Sequence, residues 1–314
     1  MPLLVLIALS LLISASPSPA TAQISSVGTD RHTVINARAA ALADAYTAMA
    51  PDVASMYWNP ANLAFLESNV VSASFALEKP LIGGSLQTIN LSVPVALRRG
   101  LTAGFGVTSH WTNTPAEDSV FGRVWITQYV IDAAVAYRIG ETVSVGVLGT
   151  ARVGMEPIEG TQASAIGLAL GVYYHPIPEI SYAFAVRGLG STITHPYDDP
   201  PSALLPARRT NQPGSIEVGI STKFPAATRS PIVRFSIGSQ KVLKRDGVIY
   251  KSGVECWVWK FAALRLGYWA DPGTAVAARF GIGLKAYGIQ LDYAVSSTRV
   301  QPRFHQITIA APLL

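Results

Sequence analysis

Residues 124–139 read "VWITQYVIDAAVAYRI". The odd positions are Trp125, Thr127, Tyr129, Ile131, Ala133, Val135, Tyr137 and Ile139, and the even positions include Gln128, Asp132 and Arg138. One face is apolar with aromatics near both ends, and the other carries the charges. That is the period of a β-strand, whose successive side chains point to opposite sides. At ~3.3 Å per residue, Trp125 to Tyr137 covers about 40 Å, and a tilt of ~45° reduces this to a height of about 28 Å, close to the hydrocarbon thickness of a bilayer.

The same rhythm recurs outward from this stretch. In "TINLSVPVALR", Ile89, Leu91, Val93, Val95 and Leu97 alternate with Thr88, Asn90, Ser92 and Arg98. In "SIEVGISTK", Ile216, Val218 and Ile220 oppose Glu217 and Lys223, and in "GIQLDYAVS", Ile289, Leu291, Tyr293 and Val295 oppose Gln290, Asp292 and Ser296. Strands are expected near 68–77, 85–97, 100–110, 124–139, 142–154, 163–175, 180–189, 214–224, 231–242, 248–259, 261–269, 275–286, 287–297 and 303–311. Long loops fit at 111–123 and at the Pro-rich 190–213. Pro94 cannot donate to a ladder and calls for a bulge.

Composition points the same way. Charged residues are 14% of the 314 and hydrophobic residues 49%, a balance more apolar than that of soluble proteins. After residue 15 no run of 18 apolar residues occurs, so no helix spans a bilayer and a closed barrel is the remaining membrane solution. A soluble sandwich would also alternate, but its polar face would be rich in Lys and Glu. Here that face is mostly Gly, Ser, Thr and Ala, with isolated charges of both signs. These are Arg98, Asp132, Arg138, Arg152, Glu217, Arg234, Lys251, Glu255, Arg265, Arg279, Lys285 and Asp292. Opposite charges paired inside a lumen account for this pattern. The expected fold is all-β, a transmembrane antiparallel β-barrel of about 14 strands. The lumen charges singled out are Arg98, Asp132, Arg138, Glu217, Glu255, Arg265 and Asp292.

The N-terminal third adds two features. "MPLLVLIALSLLISASPSPATAQ" has an apolar core and a small-x-small site at Ala20–Ala22, the pattern of a secretory signal, although its first residues hold no Lys or Arg. Residues 37–50 are Ala-rich and read as a helix capped by Asn36 and stopped by Pro51, followed by "YWNPANLAF" at 57–65. The expected division is a signal peptide over 1–22, a lumenal hatch over 23–67 and the barrel over 68–314.

"ARAAALADAYTAMAPDVASMYWNPANLAFLE" resembles the N-terminal signature of FadL-like outer-membrane proteins, nearest to the PorV/PorQ branch. The matching residues are Asp44-Ala45-Tyr46-Thr47-Ala48, Asp52-Val53 and Tyr57-Trp58-Asn59-Pro60-Ala61-Asn62-Leu63-Ala64. "GVECWVWKFAALRLGYW", "ARFGIGLKAYGIQLDYAV" and the His-containing "RFHQITIA" are similar to the C-terminal strands of that branch. The chain departs from the pattern at Ala43-Asp44, where relatives often carry two glycines, at Asn62, where Gly is usual, and in its ending "APLL". Asn62 tolerates a left-handed backbone, so the turn is expected to survive.

The resemblance implies an outer-membrane location and a segment folded inward to plug the lumen, with Tyr46, Asp52, Tyr57, Trp58, Asn59, Pro60 and Ala61 as its motif. Within the nearest branch it implies a non-enzymatic accessory of type IX protein secretion or cell-surface attachment. Its partners would be secreted cargo or secretion-machinery components, and the apolar "SALLP" at 202–206 is a candidate contact. Within the wider family it implies a channel for long-chain fatty acids or other hydrophobic compounds, with a hydrophobic small molecule as ligand. Outer-membrane lipid is a partner in either case. Transport would require an apolar pocket below the extracellular loops, touching the hatch.

Enzymatic chemistry finds no footing. His32, His110, His175, His195 and His305 lack ligand spacing, no Gly-x-Ser-x-Gly elbow or phosphate loop occurs, and Asp198-Asp199 falls short of a calcium ligand set. A lipid-modifying enzyme would need a nucleophile that no motif supplies. The close glycines of "GFGVTS" and "GIGLKAYG" sit on alternating strands, where they mark bulges or close packing rather than nucleotide binding. No metal or cofactor is implied. The single Cys256 reads as a small hydrophobe, and the net charge of +5 is spread without a basic run, which argues against nucleic acid.

Overall fold

In a computed structural model, each long strand buries alternate residues in the lumen and turns the others outward. The structure describes residues 35–49, 51–66, 69–79, 85–98, 100–115, 123–156, 161–190, 192–194, 209–211, 214–224, 233–243, 245–259, 261–271, 275–296 and 303–313. The strands are β1 (Val70–Lys79), β2 (Ser85–Arg98), β3 (Leu101–Pro115), β4 (Arg123–Ile139), β5 (Val143–Glu156), β6 (Thr161–Ile177), β7 (Ile180–Gly190), β8 (Thr192–Thr194), β9 (Arg209–Asn211), β10 (Ser215–Phe224), β11 (Val233–Val242), β12 (Ile249–Trp259), β13 (Ala262–Asp271), β14 (Ala275–Ala286), β15 (Ile289–Ser296) and β16 (Arg303–Pro312).

Fourteen of these form a closed antiparallel ring. Neighbours in sequence pair throughout, β7 pairs with β10, and β1 closes on β16 from Val70↔Pro312 to Lys79↔Arg303. Closure removes every open edge, the condition for strands to lie in lipid. β8 and β9 form a short hairpin beside β6, touching it at Ser164↔Thr194. This hairpin lies within the stretch expected to be loop. The loop expected over 111–123 is also shorter, because β3 continues to Pro115 and β4 begins at Arg123. "SALLP" at 202–206 and Asp198-Asp199 lie outside the described residues.

The ends of β2, β4, β6, β12 and β14 and the starts of β3, β5, β7, β13 and β15 gather at the end where β1 starts and β16 ends, and only two or three residues separate each pair. Short turns mark the periplasmic end of outer-membrane barrels. The outer surface is apolar around the ring: Phe75, Leu91, Phe105, Ile131, Ile166, Ile237, Leu264, Ile282 and Ile307 are all exposed. Tyr137 and Tyr174 lie toward the short-turn end, and Tyr250 and Tyr268 toward the other, in the positions of interfacial aromatics. The side chain of Trp125 falls outside the described ones.

Two expectations about the wall fail. Pro94 causes no bulge: the ladder runs through Pro94↔Gly104 and shifts only between Ala96 and Arg98. Pro94 is tolerated because β1–β2 pairing ends at Ser72↔Ser92, so no β1 acceptor waits for the missing N–H. Arg98 is not a lumen charge. It lies past the shift at the end of β2, and its side chain is exposed. Lys285, at the short-turn end of β14, is exposed as well.

The helix expected over 37–50 is shorter than its composition suggests. Only α1 (Ala37–Ala41) is α-helical, with the Asn36 side chain accepting from Ala39 N at 3.1 Å as its cap. Ala43 and Asp44 then take left-handed backbones at φ 54° and 60° and turn the chain. A run of alanines favours helix locally, but packing against the wall overrides it. These are the two positions where the resembled family carries glycines. Two 3-10 turns follow, Val53–Tyr57 and Pro60–Phe65, capped by Asp52 and Asn59. Asn62 belongs to the second and does not adopt a left-handed backbone, so its tolerance for that geometry is not what preserves the turn.

Candidate functional site

Residues 35–49 and 53–64 are buried inside the ring and form a hatch. Small side chains allow it to lie against the wall, and the wall answers with glycines. A Cβ at Gly104 would fall 2.8 Å from Leu63 Cδ1 and Met56 Sδ, and at Gly146 2.5 Å from Ala61 N. At Gly253 a Cβ would meet Leu42 Cβ at 2.9 Å, and at Gly267 Leu42 C at 2.6 Å. Close packing therefore accounts for both glycines of "GFGVTS", since a Cβ at Gly106 would fall 2.9 Å from Met56 Cε. Gly104, Gly146, Gly253 and Gly267 lie on β3, β5, β12 and β13, on both sides of the lumen.

The two halves of the hatch are held differently. The first half, 36–49, meets a charged wall. Arg38 donates from Nε and Nη2 to Glu255 Oε2 and Oε1, each at 2.8 Å, and from Nη1 to Asp52 Oδ2 at 3.1 Å. Tyr46 OH also bonds to Asp52 Oδ2. Arg265 Nε donates to Glu255 Oε2 at 2.8 Å, and its Nη1 to Asp292 Oδ1 at 2.7 Å. Arg279 Nη1 reaches Asp44 Oδ2 at 2.7 Å. Glu217 accepts from Thr47 Oγ1 at 2.8 Å and Lys251 Nζ at 3.0 Å, and pairs with Arg187. Ala37 N donates to Thr308 Oγ1 at 2.8 Å.

The second half, 53–65, meets β2–β6 through neutral groups. Tyr57 OH lies 3.0 Å from Ser92 Oγ and accepts from Asn90 Nδ2 at 2.9 Å. Asn59 Nδ2 donates to Val172 O at 3.0 Å while its Oδ1 accepts from Ala61 N at 3.1 Å. Ser144 Oγ donates to Ala61 O at 2.8 Å. Pro60 opens the second 3-10 turn, where its missing N–H costs nothing. Trp58 is buried with Tyr46 edge-on at 5.1 Å. One charged contact crosses to this half: Arg187 Nη1 donates to Tyr57 O at 3.0 Å. Burial raises the hydroxyls of Tyr46 and Tyr57 above the usual phenol range, which keeps both neutral.

Of the charges singled out in the sequence, Asp132, Glu217, Glu255, Arg265 and Asp292 are buried inward, and Arg138 is half-buried at the short-turn end. Asp132 accepts from Thr150 Oγ1 at 2.6 Å, and its ladder partner Gly106 faces Tyr57 of the hatch. Arg38, Asp44 and Arg187 were not anticipated. Arg187 falls on the inward parity of β7, which the alternation of "ISYAFAVRG" could have shown. The partners of Arg38 and Asp44 require the fold. Among the described residues no group of three or more His, Cys, Asp or Glu is placed to hold a metal ion.

No family model matches the chain, and no curated protein matches it in sequence. Solved structures do match. The toluene transporter TbuX of Ralstonia pickettii superposes with a TM-score of 0.65 at 14% identity over 88% of this chain and 97% of that one. The monoaromatic hydrocarbon channel CymD gives 0.68 at 13% identity, covering 91% and 99%. A FadL homologue of Pseudomonas aeruginosa gives 0.61 at 11% identity, covering 89% and 98%. The fold is that of FadL-type outer-membrane barrels.

Proposed function

We propose that this chain is a gated outer-membrane passage for hydrophobic molecules, with residues 35–66 as the gate. The observation that carries this reading is the hatch itself, which is buried inside the ring and fastened to both walls. A barrel of this size leaves a channel unless something fills it. The likeness to a toluene transporter and a monoaromatic hydrocarbon channel supports the substrate class. Ligand enters from the long-loop end, displaces the hatch and leaves sideways. We assign the exit to the β6–β7 seam, where the register slips between Leu168 and Leu170 opposite Gly188. A signal peptide over 1–22 exports the chain, with 23–67 as the hatch segment and 68–314 as the barrel.

The secretion-accessory role implied by the N-terminal signature rests on that signature, whereas fold and hatch geometry both favour passage. The test is uptake of toluene into vesicles carrying the purified protein. Entry faster than in protein-free vesicles, and saturating with concentration, supports the proposal. No acceleration, together with secreted proteins or secretion components co-purifying in native mass spectrometry, overturns it in favour of the accessory role.

A further inference from the structure

The β6–β7 seam carries a charged side chain at its point of irregularity. Leu170 pairs with Val186 and Leu168 with Leu189, so Ala169 alone stands opposite both Arg187 and Gly188. That is a bulge with its extra residue on β7. Gly188 takes a left-handed backbone at φ 67°, where glycine pays no Cβ penalty. On the other flank of β7, pairing with β10 runs from Thr222↔Ile180 to Ser215↔Arg187 and stops there. Beyond Arg187, among the described residues, β7 pairs with β6 alone, through Leu189 and Gly190. The wall loses ladder support on both sides of β7 at the residue that carries the charge.

Arg187 is buried in the lumen and reaches both halves of the hatch. Its Nη1 donates to Tyr57 O at 3.0 Å, in the second half. Its Nη2 donates to Glu217, whose other oxygen accepts from Thr47 Oγ1 of the first half at 2.8 Å. Glu217 has a second cation in Lys251 at 3.0 Å, so neutralising it does not by itself call for a two-armed side chain at 187. On the other bank of the seam, Asn59 donates to Val172 O of β6 at 3.0 Å. The bulge also sets which way its neighbours face. Arg187 points inward, while Leu189 and its partner Leu168 are exposed outward. A regular strand would turn residues 187 and 189 to the same side. Re-pairing that removes the extra residue must therefore swing Leu189 into the lumen or Arg187 out toward lipid. Hydrogen bonds weaken steeply with distance and angle, so a shift of the Arg187 backbone releases Tyr57 and Glu217 together.

We infer that Arg187 couples the wall to the gate: its guanidinium holds the hatch while the β6–β7 seam is paired, and parting the seam frees the hatch in the same event. This coupling rests on the exit assigned to the seam and deepens it by naming the residue through which exit and gate act on each other. A ligand that loosens the hatch would then also loosen the wall beside it.

The test locks the seam and reads the hatch. Leu168→Cys with Leu189→Cys places two thiols directly opposite on the outer face, a spacing that suits a disulfide. A Cys256→Ser background removes the one native thiol. Hatch opening is measured without ligand, as protease cleavage within 35–66 of the detergent-solubilised protein in sub-denaturing urea. With Arg at 187 the lock should slow cleavage about tenfold, and reduction should restore it. In Arg187→Gln cleavage should be fast, and the lock should change it by less than about twofold. Arg187→Lys keeps a cation for Glu217 but lacks the second arm, and should respond as the Gln variant does. Melting temperature checks that each variant is folded. An arginine with a merely structural role would raise cleavage by the same factor in locked and unlocked protein. That result, a lock without effect when 187 is Arg, or a full response to the lock in Arg187→Lys overturns the coupling. Toluene uptake into vesicles separates it from the passage itself. Uptake with a hatch indifferent to the lock keeps the passage and removes the coupling. A lock-sensitive hatch without uptake keeps the coupling and removes the passage.

Discussion

Arg38 and Glu255 are 217 residues apart in sequence and joined by two hydrogen bonds of 2.8 Å, one to each carboxylate oxygen. Both side chains are almost entirely shielded from solvent. Removing one partner of such a buried pair strands the other and costs about 3–5 kcal/mol. Here Glu255→Ala leaves Arg38 with Asp52 alone and Arg265 with Asp292 alone, so the cost falls toward the lower end of that range. The first half of the hatch should loosen in Glu255→Ala, seen as higher ion conductance in planar bilayers and faster protease cleavage within 35–66. Conductance and cleavage at wild-type levels would show that the pair does not hold the hatch.

Gly146 faces hatch backbone, with a built Cβ 2.5 Å from both Ala61 N and Pro60 C. Backbone cannot rotate aside as a side chain can. Gly146→Ala should therefore displace the 60–65 turn at a cost of about 1–3 kcal/mol. Gly149→Ala on the same strand is the control, because its Cβ meets only Ala133 O at 3.9 Å. Melting temperature should fall for the first and hold for the second.

Asn59 caps the second 3-10 turn and also donates to the wall carbonyl of Val172. Asn59→Ala removes both, at about 0.5–2 kcal/mol for the cap and about 0.5–1.5 for the wall bond. Ion leakage and protease sensitivity of the hatch should both rise. If neither changes, Asn59 does not fasten the turn.

Ala43 and Asp44 adopt the same left-handed backbone, yet glycine should act on them with opposite signs. Ala43→Gly relieves a Cβ clash of about 1–2 kcal/mol and should raise the melting temperature. Asp44→Gly gains the same relief but removes the carboxylate that accepts from Arg279 at 2.7 Å. The buried Arg279 is left uncompensated, and the melting temperature should fall.

Much of the barrel was legible because its physics is local. Period-two alternation depends only on which side of one strand faces lipid, so all fourteen ring strands could be located from stretches such as 124–139. The hatch was legible only as a motif. Fourteen Ala-rich residues read as one helix, and nothing local reveals that the chain between Ala41 and Ala43 lies against the wall at Gly267, where a Cβ would not fit. Arg98 was misplaced for a related reason: a register shift two residues earlier ends the alternation from which its face was inferred. Charge pairing was the least legible, because Arg38 and Glu255 become neighbours only after the ring closes.

The bond from Ala37 N to Thr308 Oγ1 places the start of the hatch against the final strand, and β16 is also the strand that zips onto β1. Thr308 pairs with Ser74 in that ladder, so the hatch is anchored on the seam itself. The seam is the last part of the cylinder whose two edges are both available. Seating the plug while the edges meet spares twenty-seven buried residues with their charged anchors from entering through one end of a closed wall. A barrel whose hatch is late would have to close around an empty bore, with Glu255 and Arg265 facing water, and then admit its plug from one end.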